Sequence, residues 1–331
     1  MKEFRIQGIE PKVVLPGGLV RIAVSRFDAA GDVRIFFNSE PAQFVGASSD
    51  FILARVPEVQ GRCTVTIGES GYAGSAAFAF APVAIAGELN PVGNPAVDRQ
   101  GNIFVAFSGP RGEAVPFSVY RIAAGSFAKE PYLADIVNAT GIAVGTDGTL
   151  YISSRHTGAI YRCDNRKNLD KFAENLGIAT GLALDSAGNL YVGDRGGVVY
   201  RLDRAGKAES VCEIEPSVSA FHLTMRQDDV LFVSGPTLAT QDNIYEVGAD
   251  RKPKVFFRGI GRPQGMAFDS AGRLLVAGSY RGRRGVFAIG PGSRLQQLVS
   301  SPMLVGVLVT AQKDLVLADS DTLYHVPAGQ W

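Results

Sequence analysis

Residues 178–203, IATGLALDSAGNLYVGDRGGVVYRLD, contain the unit that decides the fold of this chain. The unit predicts short strands joined by tight turns. The apolar run at 181–184 is bounded by Gly and Asp, which is typical of a buried strand. The turn at 186–189 contains Gly and Asn, which tolerate positive φ angles. A second strand at 190–192 and a third at 198–202 complete the unit.

The unit recurs along the chain with a period of roughly 40 residues, which is typical of β-propeller blades with about four strands each. Its copies begin at Gly93, Ala139, Ile178, Ala220, Pro263 and Leu304. Six copies therefore predict six blades within residues 82–331.

The two ends of the repeat region predict how the ring closes. The segment 83–89, VAIAGEL, has the pattern of an outer strand with no blade before it. The last copy of the unit ends after its third strand, at 322–326. Pairing these two strands would complete the last blade and leave no open sheet edge. We therefore expect the propeller to be closed by a strand from its N-terminal end.

Residues 1–81 lack the repeat and predict a separate all-β domain. Short strands are expected at 4–9, 19–24, 33–37, 51–56, 62–67 and 76–81. Short strands at such regular spacing fit a small β-sandwich. The predicted fold class is thus all-β, with an immunoglobulin-like β-sandwich at 1–81 and a six-bladed propeller at 82–331.

The first domain resembles the IPT/TIG family of immunoglobulin-like domains. The resemblance rests on IQGIEPKVVLPGGLVRIAVSRF at 6–27, FILARVPEVQGRCTVTIG at 51–68 and AAFAFAP at 76–82. Residues 24–27 depart from it, because that family usually has Gly there. The resemblance implies a spacer, docking or ligand-binding module without catalytic residues.

The second domain resembles NHL repeats and the gluconolactonase/senescence-marker superfamily of six-bladed propellers. The segments that carry the resemblance are TGLALDSAGNLYVGD at 180–194 and PQGMAFDSAGRLLVAG at 263–278. The resemblance implies architecture more than function, because propellers host many unrelated activities.

Lactonases of that superfamily hold a metal ion with three polar ligands around the channel mouth. By resemblance, the corresponding positions here are Gly93, Thr140 or Thr180, and Gln264. Hard divalent cations prefer oxygen ligands, especially carboxylates. We therefore expect no metal ion at this site, and no cofactor. A partial site rebuilt from nearby residues is the alternative; its candidate ligands are Glu88, Asn90 and Asn94.

Propeller geometry predicts a site on one face of the ring. The inner strands begin on this face, and the loops between second and third strands lie there too; we call it the top face. The ligand-binding candidates on it are Arg155, Arg195, Gln264, Arg283 and Arg284. Arginine presents a planar fork that suits carboxylate or phosphate. The alternative is that these arginines are solvated charges paired with local carboxylates. The turns on the opposite face are expected to be scaffold.

His222 and Asp194 are the catalytic candidates. His222 replaces a Gly that opens the inner strand in other copies, and its ordinary pKa of about 6.5 suits a general acid or base. The alternative is a histidine that fills space and is hydrogen-bonded to the backbone. The sequence contains no Gly-x-Ser-x-Gly, phosphate-loop or His/Cys zinc pattern.

Composition excludes some classes of function. The chain has 331 residues, 46% of them hydrophobic, and a net charge of +1. This balance favours neither a nucleic-acid partner nor a membrane partner, and an RNA-binding propeller would need a broad basic face. Three scattered cysteines show no disulfide or metal spacing. The start lacks a signal peptide, so the sequence predicts a cytoplasmic protein, or an extracytoplasmic one if it begins after cleavage.

Two functions are consistent with these features. The first is a binding or scaffolding propeller that holds a small-molecule or peptide-like anionic ligand at the top face, with a protein partner as a further option. The second is a lactone or ester hydrolase, or a lyase, of the gluconolactonase type that uses His222. The sequence does not decide whether the protein is an enzyme.

Overall fold

The computed structural model describes residues 5–25, 33–68 and 77–331. Within these ranges the chain is almost entirely β-strand, with one short 3-10 turn at Pro291–Ser293. None of the helical structure in the described ranges could span a membrane. The expected strand residues 4 and 76, and part of the IPT/TIG departure at 24–27, lie outside the described residues.

The N-terminal strands form one continuous run of paired strands around a shared core. They are β1 (Arg5–Glu10), β2 (Val13–Val14), β3 (Leu19–Ser25), β4 (Arg34–Phe37), β5 (Glu40–Ala47), β6 (Phe51–Arg55), β7 (Gly61–Gly68) and β8 (Ala77–Ala81). The strand order is β1-β3-β6-β5-β4-β7-β8-β2, and β5 pairs with β4 through residues 40–42 and with β6 through residues 43–47. Alternate residues of β3 are buried, as expected for a strand with one face on a core. Ile22, Phe37 and Val65 lie in this core.

Five separate four-stranded sheets in the described chain are arranged as blades of a β-propeller. The first four are β10 (Ala96–Val97), β11 (Ile103–Ala106), β12 (Val119–Ile122) and β13 (Lys129–Leu133); β14 (Ala139–Val144), β15 (Leu150–Ser154), β16 (Ile160–Cys163) and β17 (Leu169–Ala173); β18 (Ala179–Leu184), β19 (Leu190–Asp194), β20 (Val198–Leu202) and β21 (Ala208–Glu213); and β22 (His222–Met225), β23 (Leu231–Ser234), β24 (Asp242–Val247) and β25 (Pro253–Ile260). Neighbouring strands within each sheet are antiparallel.

The fifth sheet contains the predicted closure of the ring. It consists of β30 (Gly306–Val309), β31 (Leu315–Ala318), β32 (Leu323–Val326) and β9 (Val83–Ala86), in that order. Strand β9 pairs antiparallel with β32, so the predicted pairing is confirmed. Leu89, just after β9, is fully buried against the first blade, where Ile103 and Val105 lie.

Four further strands continue into the N-terminal sheet. They are β26 (Met266–Phe268), β27 (Leu274–Tyr280), β28 (Arg283–Ile289) and β29 (Leu295–Ser300). Strand β2 pairs in parallel with β29, with Val13 opposite Val299. Val13 and Leu15 also pack in a core cluster with Leu275 of β27. The N-terminal strands thus have their own core and also contribute residues to a core of the propeller.

The inner strands approach one another closely around the central channel. A Cβ atom added to Gly181 would lie 2.5 Å from the carbonyl oxygen of Phe221, on the neighbouring inner strand. Asn94 connects two other inner strands, because its Nδ2 donates to the Met266 carbonyl at 2.6 Å and its Oδ1 accepts from the Val307 amide at 3.0 Å. Glycine at the start of these strands therefore allows close approach of the neighbouring backbone.

Candidate functional site

His222 lies in the narrow throat of the central channel. Its side chain is buried, with 3% of the residue exposed. The throat encloses about 20 Å³, and the residues that line it include Asn94, Thr140, Thr180 and Phe221. A cavity of this size holds about one water molecule. The throat is therefore too small for an organic substrate.

Gln264 is the hydrogen-bond partner of His222. Nε2 of the imidazole lies 3.1 Å from Oε1 of Gln264. Because that amide oxygen only accepts, Nε2 carries the proton in this arrangement. The structure thus brings together two of the residues that the sequence assigned to one site.

Burial makes His222 a weak base. Desolvation lowers its pKa to about 4, and the hydrogen bond to Gln264 opposes this shift. The imidazole is therefore neutral at pH 7. A general base works best when its pKa lies near the operating pH, so this histidine is poorly matched to that role.

Asp194 was expected to act together with His222 as a catalytic residue, but it does not orient that histidine. It ends strand β19, and its Oδ1 accepts a hydrogen bond of 2.7 Å from the amide of Ile178. Gly177 and Gly196 lie close against its carboxylate. In the described part of the chain, the side-chain hydrogen bond of His222 goes to Gln264. Asp194 instead stabilises the loop that precedes its own blade, because the Ile178 amide needs an acceptor.

Arg155 and Arg195 follow the second strands of neighbouring blades. Arg195 donates from Nη2 to the carbonyl of Val218 at 2.9 Å and from Nε to that of Ser217 at 3.4 Å. The half-buried Arg155 has no side-chain hydrogen bond or ion pair within the described ranges. Burial lowers the pKa of Arg155, and the charges of Arg195 and Arg111 lower it further. The alternative from the sequence was that these arginines pair with local carboxylates. Among the described residues, neither Arg155 nor Arg195 forms such an ion pair.

Arg111 belongs with this pair, although sequence reasoning missed it. It lies in the loop between β11 and β12, which is longer than its counterparts and matches no repeat position. We call Arg111, Arg155 and Arg195 the arginine cluster. The only sequence signal for Arg111 was a basic residue next to Gly112 in a long top-face loop.

Asn138 connects the loops that carry two members of the cluster. It is fully buried, with 0% exposed. Its Nδ2 donates to the carbonyls of Gly109 at 2.8 Å and Pro110 at 2.9 Å, and its Oδ1 accepts from the Gly112 amide at 2.7 Å. Its own carbonyl accepts from the Arg155 amide at 3.3 Å. The side chain of Asn138 therefore fixes the backbone on both sides of Arg111, and its carbonyl holds the amide of Arg155.

Arg283 and Arg284 were expected in the same site as His222, but they lie in a separate cleft. Together with Arg55 they line a cleft of about 330 Å³ between the N-terminal strands and β28. Arg55 donates to the carbonyl of Gly17 at 3.2 Å. The parallel pairing of β2 with β29 brings the N-terminal strands over this hairpin. The predicted single site is thus divided into the throat pair, the arginine cluster and this cleft.

The alternative partial metal site is not assembled. Asn90 donates to the carbonyl of Ser108 at 2.5 Å, and the amide of Asn94 is used by two inner strands. Glu88 is exposed and lies 3.7 Å from Lys129. No group of three or more His, Cys, Asp or Glu side chains in the described ranges could hold a metal ion. The absence of a resident metal stays a prediction.

Comparison with known proteins identifies the fold. No protein-family profile matches the sequence, and no curated protein matches it. Among solved structures, an auxiliary nutrient binding protein from Bacteroides ovatus matches with a TM-score of 0.56 and 12% identity, over 98% of each chain. A Bacteroides thetaiotaomicron structural genomics protein matches with a TM-score of 0.57 and 12% identity, also over 98% of each chain.

A lyase has a similar fold. It is a catalytically inactive histidine-to-alanine variant of virginiamycin B lyase from Staphylococcus aureus, solved with Quinupristin. It matches with a TM-score of 0.56 and 10% identity, over 89% of this chain and 99% of the lyase. The structural similarity establishes a shared β-propeller fold. At identities this low it says nothing about the chemistry, which depends on the residues of each site.

Proposed function

We propose that this protein binds a small anionic ligand at the arginine cluster on the top face of the propeller. The observation that carries the proposal is that the charges of Arg195 and Arg111 act on the half-buried Arg155, while none of the three has an ion pair within the described ranges. Like charges held close together repel one another. A carboxylate or phosphate bound among them would relieve that repulsion.

The hydrogen-bonding capacity of the cluster suits such a ligand. A guanidinium group has five N–H donors and binds carboxylate or phosphate with two parallel hydrogen bonds. Arg195 uses two of its donors on backbone carbonyls, whereas Arg155 uses none within the described ranges. Asn138 and Asp194 hold the loops in place before the ligand arrives, which reduces the entropy lost on binding.

We further propose how the chain is divided into blades and domains. We propose that β26–β29 form the sixth blade, because they repeat the antiparallel order of the other blades. We propose that residues 1–81 are an immunoglobulin-like sandwich of the IPT/TIG type and that residues 82–331 are the propeller. The core cluster that the N-terminal strands share among themselves supports this division.

The similar structures are consistent with a binding role. The Bacteroides ovatus protein is described as an auxiliary nutrient binding protein and is similar over nearly the whole chain. A soluble anion fits the arginine cluster better than a nucleic acid, because the whole chain carries a net charge of only +1.

A hydrolase or lyase that uses His222 is the second candidate. The observation in its favour is the position of His222 in the channel of a fold that lyases also use. The size of the throat and the lowered pKa of His222 favour the binding role instead.

Calorimetric titration of the full chain with citrate and with inorganic phosphate tests the binding proposal. At low salt we expect saturable binding of at least one of these anions, and Arg155→Ala should raise the Kd at least about tenfold, the scale of one charge-assisted hydrogen bond. Added salt should reduce this difference through screening. Arg166→Ala, on an exposed turn of the opposite face, is the matched control. Absence of binding, or an equal effect of both variants, would contradict the proposal.

A further inference from the structure

The central channel widens into a large cavity on the face opposite the arginine cluster. This cavity, which we call the funnel, has a volume of about 820 Å³. Sites for small molecules typically measure about 300–1,000 Å³ and have mostly apolar walls with a few polar groups. The funnel meets the throat at Asn94, Ile142, Leu182 and Leu223, which line both. Because the throat holds about one water molecule, the funnel is closed at its inner end.

The wall of the funnel is apolar at the same position of every repeat. This position lies three residues after the one that Gly181 occupies in its own repeat, and its side chains form what we call the apolar ring. The ring consists of Val97, Val144, Leu184, Met225, Phe268 and Val309. All of its members are only half-buried, so they expose apolar surface to the cavity. Each member also packs against one of the hydrophobic core clusters, so the ring is held in place as a fixed apolar wall.

Phe268 gives the apolar ring a rigid aromatic member. Its ring packs edge-to-face against Phe232, with the centroids 5.0 Å apart. Met225 supplies a flexible thioether side chain, which adapts to irregular apolar shapes. The wall therefore combines a fixed aromatic surface with an adjustable one.

The charges at the mouth of the funnel leave one cation without a partner. Arg226 forms an ion pair with Asp228 at 2.7 Å, and Asp269 forms one with Arg273 at 2.7 Å. Lys313 is the remaining charged residue of the lining, and no carboxylate pairs with it in the ranges that the structure describes. The uncompensated charge at the mouth is therefore positive.

We infer that the funnel is a second binding site, for a small molecule with an apolar body and a single anionic head. The body packs against the apolar ring, and the head lies at the mouth near Lys313. A carboxylic or sulfonic acid on an aromatic or branched aliphatic skeleton has this chemistry. The site is separate from the arginine cluster, because the throat lies between them.

The probe 1-anilinonaphthalene-8-sulfonate has an aromatic body and one sulfonate, so its fluorescence titration tests the inference with the full chain. We expect saturable binding with fluorescence enhancement. Met225→Gln should raise the Kd at least tenfold, because it places an amide in the apolar ring. Leu238→Gln is the matched control, since Leu238 is 93% exposed and lies outside the funnel. If Met225→Gln does not fold, as judged by circular dichroism, the nearly isosteric Val144→Thr takes its place.

A second pair of measurements tests the anionic head. Lys313→Gln should weaken binding of the sulfonate probe at least threefold and leave binding of the neutral N-phenyl-1-naphthylamine unchanged. Arg155→Ala should change neither, which separates this site from the one on the top face. The inference is overturned if the wild-type protein does not bind the sulfonate probe, or if folded ring variants bind it like wild type. It is also overturned if binding is lost equally in Leu238→Gln or Arg155→Ala.

Discussion

Nε2 of His222 and Oε1 of Gln264 lie 3.1 Å apart and connect the start of β22 to the residues just before β26. His222 lies in the throat of the channel, where no charged side chain forms part of the lining. A buried imidazole without a nearby carboxylate is more stable in its neutral form. The histidine therefore contributes to the interior of the ring as a neutral hydrogen-bond donor.

The first prediction is a pH dependence of stability due to His222. Its pKa is lowered to about 4 in the native state, whereas an unfolded histidine titrates near 6.5. Between these values the unfolded chain binds more protons, so the free energy of unfolding rises with pH. The free energy of unfolding should therefore fall by about 3 kcal/mol between pH 6.5 and pH 4. Urea denaturation at half-unit pH steps measures it.

The variant His222→Gln is the control for that slope. It keeps a polar side chain at the position but removes the titration. The fall in stability between pH 6.5 and 4.5 should become at least two-fold shallower, since the remaining slope comes from carboxylates that titrate mainly at lower pH. An unchanged slope would show that His222 is already accessible to protons in the native state.

The second prediction concerns Asn138. Asn138 has a positive φ of 49°, which glycine adopts readily. The variant Asn138→Gly therefore keeps this backbone conformation and removes only the side chain that fixes the loop of Arg111. Losing hydrogen bonds to buried backbone groups should lower the free energy of unfolding by about 1–3 kcal/mol. Anion binding at the arginine cluster should weaken as well, because the loop is no longer held in place. Denaturation and calorimetry on the same preparation measure both effects.

The third prediction concerns ring closure. Leu89→Ala should lower the free energy of unfolding by about 2–5 kcal/mol, because it leaves a cavity between the closing segment and the first blade. Val83→Ala is the matched control, since Val83 lies in the same segment but is partly exposed. Thermal and urea unfolding of the two variants should differ clearly. Equal losses would indicate that the segment is held by backbone pairing alone.

The fourth prediction concerns the N-terminal strands. Two independent domains would allow residues 1–81 to be removed without effect on the propeller. The pairing of Val13 with Val299 predicts the opposite, because removal exposes the edge of β29 and opens a core cluster. The shortened chain should melt at a lower temperature and associate, as seen by size-exclusion chromatography. A monomer with the original Tm would contradict this expectation.

The fifth prediction concerns metal ions. By the resemblance to lactonases, the metal ligands would be expected at Gly93, Thr180 and Gln264, which are poor ligands, so we expect chelation to leave the Tm of the protein unchanged. A metal that binds only the native state would stabilise it, and its removal would lower the Tm. A drop of several degrees with chelator, reversed by one added cation, would show that other residues form a metal site.

The repeat made the blades and their closure predictable from sequence. Each copy carries its own strands and turns, so local pattern was enough for the strand assignments around Gly181. The pairing of His222 with Gln264 could also be anticipated, because both lie at the start of an inner strand. Strand β2 was missed, since it has only two residues and pairs with a strand far along the chain. Such a contact has no local signature.

The site was predictable only where repeat positions decide it. Arg155 and Arg195 occupy equivalent loops of neighbouring blades and are near enough for their charges to interact, whereas Arg111 lies in an insertion that has no equivalent. Arg283 also follows the repeat, but the N-terminal strands cover that part of the face. Asp194 was wrongly expected to orient His222. Its carboxylate instead accepts the hydrogen bond of the nearby Ile178 amide. The apolar ring could have been found by comparing inner strands position by position.

The pairing of β9 with β32 also has a consequence for synthesis of the chain. Val83–Ala86 leaves the ribosome before the other strands of the propeller, whereas its partner Leu323–Val326 follows them all. Contacts so distant in sequence slow folding, and unpaired strand edges favour aggregation in the meantime. The nascent propeller is thus an open arc with two unpaired strand edges until Leu323–Val326 has been synthesised.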